Sequence, residues 1–261
     1  MNAENYLELF KNKEASAYKE LMSILLFSEE FEHYYVNYEE KILRPDLYGK
    51  TVKCTSKQFP QIYQLVEKVA RLLEMESPEV FVYEDFYYGT DCKGIAEPWV
   101  EISAKTVTDF SDQELCFLLA RELVRLKRKW AKTHLICTQA MAILPELSLI
   151  GNDVVQKNLK VVFAKWSRLA NYIVDAEAYQ VVQEIRPCSQ AILKTILNSC
   201  QLTQAVNLPE YLAQVSDISA TDDIVSNFSK YDEVVPYAPL RIKNLIAFAS
   251  HSAFDTARGG A

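Results

Sequence analysis

The stretch FSDQELCFLLARELVRLK, Phe110 to Lys127, decides how the rest of the chain is read. Ser111 followed three residues later by Glu114 is a capping box, in which hydroxyl and carboxylate each take a backbone N–H that a first helical turn leaves without a partner. A helix therefore begins at Ser111. Leu115, Leu118, Leu119, Leu123 and Leu126 recur at helical spacing and predict a buried stripe. Arg121, Glu122 and Arg125 fall on an adjoining face, where a cleft would lie. Charges four apart on a helix ordinarily mark a solvated face with weak side-chain pairing, so Arg-Glu-x-x-Arg acquires a meaning only from its surroundings.

Those surroundings follow a definite order. Gln58-Phe59-Pro60 precedes a helical run to Leu73, and Pro78 to Tyr83 alternates as a strand does. Gly94 to Ile102 follows, then the arginine helix, then Trp166 to Asp175, and finally Val235-Pro236-Tyr237-Ala238-Pro239-Leu240-Arg241. In this order the pieces resemble the HtpX-like, CAAX-prenyl-protease-type zinc metallopeptidases in their short soluble bacterial form. The resemblance runs from about Arg44 to Ala249.

In that family a His-Glu-x-x-His helix sets two imidazoles one turn apart on zinc, with the glutamate as general base. The resemblance places the histidines at Arg121 and Arg125, the base at Glu122, and the third ligand at Asn171, four residues before Asp175. It matches the family's late arginine to Arg241 and a histidine to Val235. The strand that pairs with substrate falls around Gly89, Thr90 and Asp91, without its usual Asn-Ala-Phe. A guanidinium stays protonated and has no lone pair to offer, so neither Arg121 nor Arg125 can ligate a metal. With all three ligands replaced, the zinc-activated water is lost too. The expectation is a zincin-like architecture without its metal site, and no cofactor.

Two arginines, Glu122, Asp175 and the side-chain oxygen of Asn171 are expected to form a buried ionic network in place of the metal; the plain alternative is that both arginines reach solvent. A third reading has them bind a peptide carboxylate or a phosphate. The function that follows is a pseudopeptidase, a peptide- or protein-binding accessory or scaffold whose partner is an active homologue or a modifying enzyme. The competing class is a metal-independent enzyme, with Glu122 as general base and Arg121 and Arg125 stabilising an anionic intermediate or substrate.

Composition sets the outer limits. A chain of 261 residues, 49% hydrophobic, can bury one sizeable core. Its net charge of -7 argues against a nucleic-acid partner, which needs a concentrated basic face. The first residues lack a basic start followed by an apolar core, so a cytoplasmic protein is expected. Leu135 to Ile150 is interrupted by Pro145 and Glu146 and is shorter than the roughly 20 residues that cross a bilayer; a buried helical hairpin is expected there, without membrane contact. The six cysteines have no regular spacing and read as free, mostly buried thiols. His134 and Cys137, three apart, supply too few ligands for a zinc site.

The fold class predicted is mainly α with a small β-sheet (α+β). Residues 1–43 are expected as an N-terminal helical extension, 44–254 as the peptidase-like domain and 255–261 as a disordered tail. The extension carries helical periodicity over 14–41, with Pro45 marking its exit. Strands are expected at 79–84 and about 98–103, with Tyr87 to Gly94 a loop or an irregular third strand. A long helix is expected from Asp153 to Ile185, another opening at Leu208, a loop over 216–230, and a short helix from Arg241 to Ser250.

Overall fold

The computed structural model describes residues 3–25, 28–143, 152–220 and 234–259. The chain forms two compact units. One comprises residues 1–28, 136–176 and 206–261, the other 29–135 and 177–205.

The first unit is helical. Helix α1 (Ala3–Ile24) packs on the last helix, here α12 (Ala238–Gly259), and α11 (Leu208–Ala220) packs on α12 as well. Ile242, Leu245 and Phe248 form the buried side of α12 at the three-residue spacing of a helical stripe. The Tyr6 hydroxyl donates to Asn244 Oδ1 (2.7 Å), and the Trp166 indole N–H donates to the buried Glu14 carboxylate (2.6 Å). These contacts tie α1 into the unit, so the compact units do not follow the expected division at residue 43. The helix α12 runs to Gly259, further than Ser250, and α11 extends through Ala220 where a loop was expected.

The second unit holds the sheet. Helix α2 (Ser28–Tyr34) leads through a π-helical segment (Tyr35–Glu39) into α3 (Glu40–Lys50), with Pro45 inside the helix instead of at its exit. Proline removes one intrahelical bond, but tertiary bonds on both sides of it hold the helix. Glu40 anchors one end, while Arg44 and Tyr48 both bond Glu79. Strand β1 (Val52–Lys53) and helix α4 (Pro60–Leu72) follow, then β2 (Glu79–Tyr83), β3 (Thr90–Lys93), β4 (Trp99–Ser103) and α5 (Ala104–Asp109).

The sheet order is β1-β2-β4-β3. The outer pairs are antiparallel and the central β2/β4 pair is parallel, in the register Phe81↔Glu101. Val80, Phe81 and Val82 are buried in succession, as a central strand covered on both faces requires. Strand β3 is an edge. Helix α6 (Asp112–Lys127) begins with the Ser111–Glu114 capping box and packs against α4, β3 and α9 (Ile185–Leu197). Helices α7 (Trp130–Ile143) and α8 (Asn152–Val182) contribute residues to both units, and α10 (Cys200–Gln204) packs on α9. The turn of the hairpin expected over 135–150 lies outside the described residues.

All six cysteines are free, with Cys54, Cys92, Cys116, Cys137 and Cys188 buried. Among the described residues no helix is long and apolar enough to cross a membrane.

Candidate functional site

Helix α6 is enclosed over most of its length, since every residue from Glu114 to Val124 is buried. Its apolar stripe accounts for part of this. Strand β3 and helices α4 and α9 pack against α6 as well. Arg121 is only 8% exposed, so it does not reach open solvent, whereas the side chain of Arg125 keeps 25% of its surface accessible.

Glu122 is 1% exposed and both its oxygens are engaged. Oε1 accepts from Thr90 Oγ1 at 3.1 Å, and Oε2 accepts from Arg125 Nη1 at 3.2 Å. Successive side chains of a strand alternate between faces, so Thr90 and Cys92, two apart on β3, share one face. Asp91, Cys92 and Glu122 lie with their potential ligand atoms within 4.8 Å of one another.

The electrostatics of this group are unusual. Asp91 has an exposed side, yet burial of its carboxyl, then the negative charge of Glu122, raises its pKa to about 6. Lys93 and Arg125 oppose that shift. Burial, then Glu122, also holds the Cys92 thiol protonated well above its ordinary range. His134 retains surface exposure, but desolvation of the ring and then the Arg125 guanidinium lower its pKa to about 4.

These residues do not suit a resident zinc. The positions that the resemblance assigns to ligands carry Arg121, Arg125 and Asn171, of which the arginines have no lone pair to give a metal. The Asp91, Cys92 and Glu122 group is a poor substitute. Cys92 must lose its proton to ligate, against both burial and Glu122, while Glu122 already serves Thr90 and Arg125. Burial also pushes the Cys137 thiol up to about 12, which disfavours it as a ligand beside His134.

Two ion pairs among the residues of the expected network each lie within one unit. Glu122 and Arg125 meet in the second unit. In the first unit Arg241 grips Asp175 through Nε and Nη2, each 2.8 Å from a carboxylate oxygen. Asn171, one turn before Asp175 on α8, is buried and turns its amide back to the Ser167 carbonyl at 2.9 Å. Val235 is exposed. Cys92, and the hydroxyl that Thr90 offers to Glu122, were not among the expected site residues. Period-two alternation along Thr90–Lys93 is the signal that pairs them.

Comparison of the chain with family models, with curated proteins and with solved structures returns no match.

Proposed function

We propose that this chain is a catalytically silent, zincin-like relative of the HtpX-type metallopeptidases that holds an extended peptide or protein segment along strand β3. The observation that carries the reading is the engagement of Glu122, whose two oxygens accept from Thr90 and Arg125. A general base needs a lone pair accessible to a water or substrate proton, and Glu122, held by both contacts, is 1% exposed. Support for a binding role comes from β3 itself, an antiparallel edge strand lying against α6 and occupying the positions that the resemblance assigns to substrate pairing. An edge strand offers unpaired backbone groups that a partner strand can complete.

Elemental analysis, a peptidase assay and amide shift mapping test this together. The expected result is no stoichiometric zinc, no chelator-sensitive cleavage, and shifts at Thr90 to Lys93 on addition of blocked extended hexapeptides. Cleavage that requires zinc and is abolished by chelator refutes it.

One observation favours a metal-independent enzyme as a second reading. Asp91 titrates near neutrality beside Glu122 and the Arg125 guanidinium, a pairing suited to proton transfer. On that reading Asp91 is the titrating group, and Asp91→Asn abolishes turnover while leaving peptide affinity unchanged.

A further inference from the structure

A groove of about 600 Å³ opens in the second unit, away from Glu122, Arg125 and Thr90. Its apolar lining comes from Met75, Pro78, Pro98 and Leu126, and the exposed Glu76 and Glu97 line it too. This volume lies within the range of small-ligand and peptide side-chain sites, roughly 300–1,000 Å³.

The walls are fixed before any ligand arrives. The turn from Gly94 to Pro98 forms one wall, and the buried Glu40 carboxylate accepts three of its backbone N–H groups: Ile95 (2.9 Å), Ala96 (3.2 Å) and Glu97 (3.0 Å). Arg44 clamps the same turn, donating to the Glu97 carbonyl (2.8 Å) and pairing with the Glu97 carboxylate (2.7 Å), with its guanidinium 5.6 Å from the Trp99 ring centre. The opposite wall leaves α4 through Glu74 in a left-handed conformation, with Met75 N–H bonded to the Ala70 carbonyl and Lys127 Nζ bonded to the Leu73 carbonyl (2.6 Å). Rigid walls lower the ordering cost of binding.

The charge of the groove is one-sided. Arg44 supplies the lining's single guanidinium, and it is shared between Glu79 and Glu97. Glu79 is matched further by Lys53 and the Tyr48 hydroxyl. Glu76 is exposed and makes no hydrogen bond or ion pair among the described residues, and the Glu97 side chain is 70% exposed despite its contact with Arg44. An apolar lining beside two accessible carboxylates complements an aliphatic side chain next to a cation.

From this we infer that the groove docks a short peptide segment in which a lysine or arginine neighbours an aliphatic residue. The aliphatic group covers Met75, Pro78 and Leu126, and the cation reaches Glu76 and Glu97. This site does not depend on the pseudopeptidase reading, because none of the residues at the Glu122 centre takes part.

The test is a titration of the full chain, followed by amide shifts, with three blocked tetrapeptides: acetyl-Leu-Lys-Leu-Lys-amide and its glutamine and glutamate counterparts. The lysine peptide is expected to shift Met75 to Glu79, Ala96, Glu97 and Leu126, and to weaken as salt is raised. Glu76→Gln and Glu97→Gln are each expected to weaken it by about threefold to fivefold, the scale of an exposed ion pair, and Glu76→Lys to abolish it. Both side chains are exposed, unchanged thermal midpoints check that the variants keep the fold, and Glu210→Gln serves as a control of unchanged affinity. Equal binding of the glutamate peptide, shifts confined to other surfaces, or no shift at all would overturn the assignment.

Discussion

Asp175 and Arg241 lie 66 positions apart in the chain and meet in a two-pronged contact, Nε and Nη2 each 2.8 Å from a carboxylate oxygen, with both residues buried. Parallel N–H···O bonds of this kind match the planar guanidinium to the planar carboxylate, which a lysine cannot reproduce. The pair fastens α8 to α12 within their unit.

Removing either member takes a two-pronged partner away from a buried charge. Arg241→Ala and Asp175→Ala are each expected to cost about 3–5 kcal/mol. Replacing both at once, as Asp175→Leu with Arg241→Met, should recover most of that loss. Urea denaturation of the four proteins measures it, and single variants within about 1 kcal/mol of wild type would rule out a buried pair.

Acid stability carries two opposing contributions. His134 in the unfolded chain takes up a proton near pH 6.5, but in the fold only near 4, so its contribution is present at neutral pH and is lost as pH falls through that window. Asp91 works in reverse. Its folded pKa of about 6 exceeds the ordinary 3.8, so the native state binds the proton first and gains stability as pH falls from above 6 towards 4. His134→Gln should therefore flatten the acid loss, and Asp91→Asn should steepen it. Denaturation midpoints at pH 4.5 and 7 give the sign for each variant.

Gly94 has φ +80°, and a Cβ there would meet the Glu97 carbonyl oxygen and the Trp99 ring at 2.7 Å. Gly94→Ala is expected to destabilise by about 1–3 kcal/mol, through left-handed strain and the clash together. Glu40→Gln, which removes the charge that three amides share, should cost a similar amount, about 1–3 kcal/mol. Amide exchange at Ile95, Ala96 and Glu97 should rise in both; unchanged protection would count against the carboxylate as the anchor of the turn.

Lys194 is buried and its ammonium donates to Glu114 Oε2 and to the Asp109 carbonyl, 2.8 Å each, above the Phe110 ring. Glu114 is also a member of the capping box of α6. Lys194→Met is expected to lower stability by about 3–5 kcal/mol by stranding that carboxylate. A further Glu114→Gln change should restore part of it, as read by the thermal midpoint of the double variant.

Features encoded within a few residues were legible in the sequence. The start of α6 follows from Ser111 and Glu114 alone, and β2 and β4 follow from their apolar runs. Strand β3 reads from its own residues only as a loop or an irregular strand, because Thr90, Asp91 and Lys93 are polar and its place is set by pairing with β4. Pro45 reads locally as a helix end, since the bonds from Arg44 and Tyr48 to Glu79 that hold the helix through it join residues more than thirty positions apart. The candidate centre divides in the same way. Arg121, Glu122 and Arg125 are grouped by helical spacing, whereas the Thr90 hydroxyl on Glu122 comes from 32 residues away.

Glu40 lies upstream of the point where the pattern of the sequence suggests that a minimal fragment should start. A truncation at residue 44 would carry away the carboxylate that shapes the loop between β3 and β4, although the loop follows Glu40 by 55 positions in the chain. The shortest autonomous version of this unit must begin before Glu40, and fragments made for crystallisation or display should keep the whole of α3.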